Sequence, residues 1–195
     1  MRTDAYFSGK SSEYDKKRGS GILGKIVNKE RDAVMEFLEV HANEVILDLG
    51  CGAGYYARLI KEKKAKVVGV DIAEKMVEDM KKQKIESYLG NIESFRLRKK
   101  FDKVLIAGAL EFVDDAENVI QNSAFHLKKN GLLVILYPKY LPCGFLYKLY
   151  HLLHGIHINL FSRNKIKNLL EKNGFQQVEF NNAGINCDAV KCAKM

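Results

Sequence analysis

The stretch that most constrains the fold is residues 45–56, which read VILDLGCGAGYY. Four of its first five residues are apolar, and this predicts a short buried strand that ends around Asp48 and Gly50. A G-x-G-x-G turn and a helical pattern follow. Glycine permits tight bends and the close approach of a ligand, and the first N–H groups of a helix point toward such a ligand. The stretch therefore predicts a strand, a turn and a helix built around a bound molecule.

An acidic residue indicates a nucleotide-like ligand. A second apolar strand, residues 67–70, closes in Asp71, which lies 21 positions after Gly50. In βαβ units an acid about 20 residues after the glycine loop binds the ribose hydroxyls. A dinucleotide-binding dehydrogenase has such an acid too, but its loop is spaced G-x-G-x-x-G. The two strands predict a ligand over the carboxyl ends of a parallel sheet.

The remaining chain alternates between helix and strand patterns. Helical patterns cover residues 30–41, 55–63, 73–82 and 114–127, and a further segment that Ser162 caps and Gly174 ends. Strand patterns cover residues 85–89, 101–107, 132–137, 175–180 and 188–193. Strands separated by helices form parallel sheets that are covered on both faces. The order predicts an α/β fold with a doubly wound, mostly parallel sheet and helices on both faces.

Composition places the chain among folded, soluble, single-domain proteins. It has 195 residues, of which 47% are apolar and 29% charged. The N-terminus lacks the apolar core of a signal peptide, and no run reaches the roughly 18 apolar residues of a membrane span. Four cysteines in a chain of this length do not suggest a disulfide framework. We therefore expect a cytoplasmic protein without a transmembrane segment.

The net charge of +8 is unevenly distributed, because residues 57–103 hold 14 Lys or Arg against 8 Asp or Glu. Basic stripes are typical of proteins that bind nucleic acid or anionic membranes. The basic runs have no interleaved aromatic residues for base stacking. A solvated face of helices and loops is therefore the favoured interpretation, and nucleic acid is not the expected partner.

Two segments depart from the alternation. Residues 1–28 are polar and dotted with glycine, which predicts a flexible N-terminal arm or lid before a single domain over residues 29–195. Residues 138–161 carry apolar residues at helical spacing and three histidines, His151, His154 and His157. No acidic ligand lies near these histidines in the sequence, so no metal site is expected.

These residues resemble the class I S-adenosylmethionine-dependent methyltransferases over about residues 30–195. DLGCGAG is similar to their first motif, D/E-x-G-x-G-x-G, and VVGVDIAEKM is similar to the strand whose acid binds both ribose hydroxyls. The resemblance implies S-adenosylmethionine as cofactor and S-adenosylhomocysteine as product. It also implies a seven-stranded sheet whose last strand is antiparallel.

The resemblance implies a role for each matching segment. The first motif holds the methionine end, Asp71 holds the ribose, and Ile72 packs on the adenine. LGNIESF is similar to the adenine-edge segment, although Asn91 stands where the family usually has Asp. FDKVLIAGALEFVDD is similar to the strand and turn that lie under the methyl group. The implied cofactor-binding residues are Asp48, Gly50, Cys51, Gly52, Gly54, Asp71, Ile72, Met76, Asn91, Ile92, Ala107 and Leu110.

The chain is most similar to the small-molecule branch, including ubiquinone and menaquinone-type methyltransferases. This implies that residues 138–161 form an insert that covers a small-molecule acceptor. An apolar stripe in residues 145–156, with Lys148 and His151 beside it, predicts either a lipophilic acceptor or peripheral contact with a membrane.

Methyl transfer requires an acceptor held in line with the sulfonium, away from water. A base is needed only where the acceptor must lose a proton, and the candidates are Glu111, after the fourth strand, and Tyr14, in the arm. Two other functions stay open: an RNA or protein methyltransferase, and a non-catalytic S-adenosylmethionine-binding module. The Asn/Asp-Pro-Pro-aromatic motif of base amino-group methylation is absent after the fourth strand, where residues 107–110 read AGAL.

Overall fold

A computed structural model describes residues 21–195 of the chain. It contains six α-helices, a 3-10 helix and seven strands within that range. The helices are α1 (Gly21–Leu38), α2 (Tyr55–Glu62), α3 (Glu74–Lys82), α4 (Ala116–His126), α5 (Pro142–Leu153) and α6 (Arg163–Lys172), with the 3-10 helix at Leu110–Phe112. The strands are β1 (Val45–Leu49), β2 (Lys66–Asp71), β3 (Glu86–Leu89), β4 (Phe101–Ala107), β5 (Leu127–Pro138), β6 (Phe175–Asn182) and β7 (Cys187–Lys194).

The seven strands form one sheet in the order β3-β2-β1-β4-β5-β7-β6. Every pairing from β3 to β5 is parallel, whereas β7 pairs antiparallel with both β5 and β6. The predicted mostly parallel sheet with an antiparallel last strand is therefore confirmed. The strand order reverses between β1 and β4, and ligands of such sheets bind at that point, beyond the carboxyl ends of the strands. We call this side of the sheet the carboxyl edge.

Helices cover both faces of the sheet, as predicted. Alternate residues of a strand point to opposite faces, so each central strand contributes to two separate cores. The first core combines Leu47, Val104 and Ile106 of the sheet with Val119, Ile120, Ile166 and Leu170 of α4 and α6. The second combines Ile46, Leu105 and Val134 of the sheet with Val34, Phe37, Ala57 and Ile60 of α1 and α2.

Helix α1 begins earlier than the sequence predicts. The predicted arm covered residues 1–28, but residues 21–28 belong to α1. Glycine lowers helix propensity by only about 1 kcal/mol, and tertiary packing of the apolar face overrides it. The helix also ends at Leu38 rather than His41, because Glu39 adopts a left-handed φ of 42°. Residues 1–20, including Tyr14, lie outside the described residues.

Two predicted helix starts are confirmed by their caps. The Asp115 carboxylate accepts hydrogen bonds from the N–H groups of Glu117 and Asn118, and Ser162 Oγ accepts one from Lys165. After α5, the chain turns at Gly155 with a φ of 74°, so the helix stops short of Ile156. None of the helices within residues 21–195 is long and apolar enough to cross a bilayer.

Candidate active site

The glycine loop after β1 is held by backbone bonds to β2. The N–H groups of Gly50 and Cys51 both donate to the carbonyl oxygen of Val70, at 2.8 and 3.1 Å. The Asp71 carboxylate then links two elements, since Oδ2 accepts from Gly52 N–H and Oδ1 accepts from Ala73 N–H, each at 2.9 Å. Asp71 therefore fixes the loop against the start of α3 at the carboxyl edge.

Two glycines of the loop serve different purposes. Gly50 has a φ of +77°, and a Cβ added there would lie 2.3 Å from the Cβ of Ala109. This glycine therefore permits close packing of the loop on the turn after β4. Gly52 has a φ of +51°, and a Cβ added there would meet no atom within 4 Å. Gly52 therefore faces open space, as expected for the glycine that a ligand approaches.

Asp48 is buried at the end of β1, and its Oδ2 has no hydrogen-bond partner among the described residues. Burial, together with the charge of Asp71, raises the pKa of Asp48 to about 7. A buried carboxylate without a partner is costly unless a cation or a donor meets it. Burial also raises the pKa of Asp71, although backbone N–H groups oppose the shift. The two acids create a site of negative potential beside Gly52.

Apolar side chains lie exposed beside Asp71. Leu89 pairs with Asp71 across β2 and β3, and both Leu89 and Ile72 are exposed, Ile72 by 41%. Exposed apolar groups beside an acid form the kind of surface on which a flat aromatic base stacks, and the sequence resemblance implies this role for Ile72. Asn91 is also exposed, but its Oδ1 accepts the Glu93 N–H at 2.8 Å in a local turn. Its side-chain oxygen is thus already bonded within its own loop.

The remaining predicted cofactor residues lie around this surface and support it. Gly54 begins α2 and packs on Met80, while Ala107 is the half-buried last residue of β4. Four others are buried: Cys51, Met76, Ile92 and Leu110. Leu110 belongs to the first core, so its side chain anchors the turn after β4.

Glu111 stands in that turn and is 3% exposed. Its Oε2 has no hydrogen-bond partner among the described residues. Burial raises the pKa of Glu111 to about 8, and the charge of Glu30 in α1 contributes. Burial also raises the pKa of the Cys187 thiol, again with contributions from Glu30 and Glu111. The charges of Glu30 in α1 and of Glu111 in the turn after β4 therefore both act on the Cys187 thiol at the start of β7.

Sequence reasoning found Glu111 but missed Glu30 and Cys187. For Cys187, the sequence offered one signal: an antiparallel β7 places its first residue at the carboxyl edge. The structure also separates the three histidines. His151 is buried among Phe112, Tyr147 and Tyr150, whereas His154 and His157 are exposed. Within residues 21–195, no three His, Cys, Asp or Glu side chains are grouped to hold a metal ion.

Comparison with known proteins agrees with this geometry. Residues 24–179 match a protein family described as a methyltransferase domain. The chain belongs to this family. Among curated proteins, this methyltransferase domain is 35% identical over 99 residues to the ubiquinone biosynthesis O-methyltransferase of Pelagibacter ubique, covering 48% of the chain and 41% of the relative. It is 30% identical over 95 residues to the malonyl-[acyl-carrier protein] O-methyltransferase of Bacillus anthracis, covering 46% and 35%. The matches span about half or less of the length of these relatives.

Solved structures share the whole fold. The magnesium protoporphyrin IX methyltransferase of Synechocystis PCC 6803 with bound SAH has a TM-score of 0.76 at 19% identity, with 98% of each chain covered. A possible histamine N-methyltransferase of Thermotoga maritima has a TM-score of 0.73 at 20% identity, with both chains fully covered. The family match and the strand order identify the fold as that of class I S-adenosylmethionine-dependent methyltransferases.

The residues at the carboxyl edge fit S-adenosylmethionine. Gly52 leaves open space where the ligand would approach, and the unpartnered Asp48 Oδ2 suits a cationic methionine end. The Asp71 carboxylate retains lone pairs for two ribose hydroxyls after accepting its two backbone bonds. The exposed Ile72 and Leu89 are apolar surface on which an adenine ring would stack.

Replacing Gly52 with valine tests whether the ligand occupies the open space beside Gly52. We expect the affinity for S-adenosylhomocysteine to fall at least tenfold, because the new side chain fills the approach. Gly174→Val is the matched control, since Gly174 has a φ of +82°, no atom within 4 Å of an added Cβ, and a position at the end of α6. Both variants should lose similar stability from backbone strain, as thermal unfolding reports. Equal affinities for S-adenosylhomocysteine in the two variants would contradict the assignment.

Proposed function

We propose that this domain transfers a methyl group from S-adenosylmethionine to a small-molecule acceptor. The observation that carries the proposal is the loop at the carboxyl edge, where an open glycine lies beside two buried acids. Asp48 has an unpartnered buried oxygen, and Asp71 is bonded to the loop N–H of Gly52. A purely structural loop has no need of an uncompensated buried carboxylate.

The bound sulfonium supplies an already activated methyl group. The chain must then hold the acceptor in line, exclude water and accept a proton where one is released. Asp48 and Asp71 bind and orient the donor. The turn after β4 lies on the carboxyl edge beside them, because Ala109 packs against Gly50. This packing supports a position for the turn under the reacting methyl group.

We propose that Glu111 accepts the proton of a hydroxyl or amino acceptor. With the donor bound in this site, the acceptor oxygen or nitrogen would take the methyl group, S-adenosylhomocysteine would be left, and the Glu111 carboxylate would hold the proton that the acceptor loses. A pKa near 8 suits this role, because a base works best when its pKa is close to the operating pH. Tyr14, the other predicted candidate, stays a proposal outside the described residues.

We propose further that the acceptor is lipophilic. We also propose that this protein is cytoplasmic and binds the acceptor at a membrane surface. The exposed apolar side of α5, beside the carboxyl edge, supports the first part. The names of two similar proteins, a ubiquinone-pathway methyltransferase and a magnesium protoporphyrin methyltransferase, also support it. The four free cysteines support a reducing compartment.

Calorimetric titration tests the cofactor before any acceptor is known. We expect micromolar binding of S-adenosylmethionine and S-adenosylhomocysteine and no binding of NAD. NAD shares the adenosine, but the proteins that bind it have a glycine loop spaced G-x-G-x-x-G. Transfer of labelled methyl groups would then be measured with a polyprenyl phenol, a malonyl thioester and a porphyrin carboxylate. Absence of binding by both sulfur compounds would overturn the proposal.

A further inference from the structure

The side of α5 that faces away from the domain is the largest concentration of exposed apolar residues within residues 21–195. Eight of the 14 large hydrophobic residues that are exposed in this range lie in residues 140–153. Ile185, also exposed, lies beside them, because its carbonyl oxygen accepts a hydrogen bond from the Cys143 thiol. Five of them recur at helical spacing on α5: Phe145, Leu146, Leu149, Leu152 and Leu153. We call these five residues the α5 face. Scattered exposed leucines are ordinary, but a contiguous patch marks an interaction surface.

The opposite side of α5 is fixed to the site. His151 is buried and packs edge-on against Phe112, which directly follows Glu111, with ring centroids 5.3 Å apart. At the start of the helix, a Cβ on Gly144 would lie 2.0 Å from the carbonyl oxygen of Lys139, so the helix packs tightly on the end of β5. The α5 face is therefore held outward in a defined orientation next to the carboxyl edge.

Charge indicates what covers this face. Residues 118–170 contain no Asp or Glu and seven Lys or Arg. Lys148 lies within α5, and Lys165 lies in the first turn of α6. Helix α5 itself carries no carboxylate, and a helix with exposed leucines and a lysine matches the acyl boundary and the phosphates of an anionic bilayer. An acidic or strongly polar partner would leave the leucines uncovered.

We infer that the α5 face docks this domain on an anionic lipid bilayer, with the carboxyl edge turned toward the lipid. The inference rests on the proposed function, because it names the bilayer as the place where a lipophilic acceptor reaches Glu111. The leucines enter the boundary between headgroups and acyl chains, and Lys148 meets the phosphates. Docking is peripheral and reversible, as a single interfacial helix allows.

Vesicle co-sedimentation tests the inference with the full chain. Vesicles of phosphatidylcholine with phosphatidylglycerol are compared with vesicles of phosphatidylcholine alone. We expect the wild-type chain to bind the anionic vesicles at least tenfold more strongly, and Leu146→Asp and Leu153→Asp each to lower that binding at least tenfold. These two leucines are 70% and 78% exposed, so the variants are expected to fold.

Phe125→Asp is the matched control. Phe125 is an exposed apolar residue near the end of α4, on the side of the sheet opposite the carboxyl edge, and the change adds the same charge. It should leave vesicle binding unchanged. Binding of S-adenosylhomocysteine should be the same in all variants, so failure of docking is separable from failure of the proposed function.

Three outcomes would overturn the inference. The first is a wild-type chain that stays in the supernatant with both kinds of vesicle. The second is vesicle binding that the two leucine variants retain. The third is a concentration-dependent dimer, seen by analytical ultracentrifugation, that Leu146→Asp dissociates while wild-type vesicle binding is absent. That last result would assign the α5 face to a second copy of the chain.

Discussion

Asp71→Ala is expected to weaken the binding of S-adenosylhomocysteine by roughly 30- to 700-fold, which corresponds to about 2–4 kcal/mol. Each charge-assisted hydrogen bond to a ribose hydroxyl contributes about 1.5–3 kcal/mol, and two bonds to one carboxylate are not fully additive. The variant also removes the acceptor for the N–H groups of Gly52 and Ala73, so the loop loses its link to α3. Isothermal titration calorimetry measures the change directly.

Asp102→Ala separates loss of the ligand from loss of the fold. Asp102 also accepts a backbone N–H, from Val45, and pairs with Lys128, but it lies at the start of β4, away from the carboxyl edge. This control should lose stability and keep its affinity. A second comparison uses the 2′-deoxyribose analogue of S-adenosylhomocysteine, which the wild-type chain should bind more weakly and Asp71→Ala should not distinguish. A folded Asp71→Ala protein with wild-type affinity would refute the ribose assignment.

The sequence predicted those elements whose signals are local. The bounds of β4 were predicted to the residue and the end of β1 to within one residue, because each is a mostly apolar run that is followed directly by a glycine. The loop residues Gly52 and Asp71 were found because a tight turn and an acid at fixed spacing leave a direct pattern in the sequence. Helix α1 was misjudged at its start, since its glycines suggested a loop and only packing on β5 and β7 makes it a helix.

The effect of Glu30 and Glu111 on the pKa of Cys187 could not be predicted in the same way. It depends on α1 crossing the sheet and on β7 inserting antiparallel between β5 and β6. Neither packing arrangement has a residue pattern of its own. The sequence also could not show that the Asn91 oxygen is bonded to Glu93, because the short turn competes with the predicted ligand contact. Local patterns thus predicted the glycine loop and the acid that holds it, whereas tertiary packing determines the surroundings of Glu111.

Glu111→Gln is expected to stabilise the ligand-free protein increasingly as the pH rises, while it lowers turnover. The folded pKa of Glu111, about 8, lies above the ordinary value of 4.5. The folded state therefore binds the proton more tightly, and the wild-type free energy of unfolding falls as pH increases between those two values. Glutamine has no proton to release, so it avoids this loss. The difference between variant and wild type should grow by on the order of 3 kcal/mol between about pH 5 and pH 8.

Urea unfolding at several pH values measures that growth. The informative quantity is the slope, against pH, of the difference in unfolding free energy between variant and wild type. The absolute difference is less informative, because the glutamine amide places two donors in the buried site and shifts the stability by about 1–3 kcal/mol. Glu117→Gln is the control: its carboxylate pairs with Lys172 on the surface, and its loss should change stability by less than about 1 kcal/mol. With an acceptor in hand, Glu111→Gln should lower turnover roughly 100-fold or more at unchanged donor affinity. A stability difference independent of pH would mean that Glu111 is ionised in the folded protein. If Glu111→Gln also kept full turnover, Glu111 would have no role in the reaction.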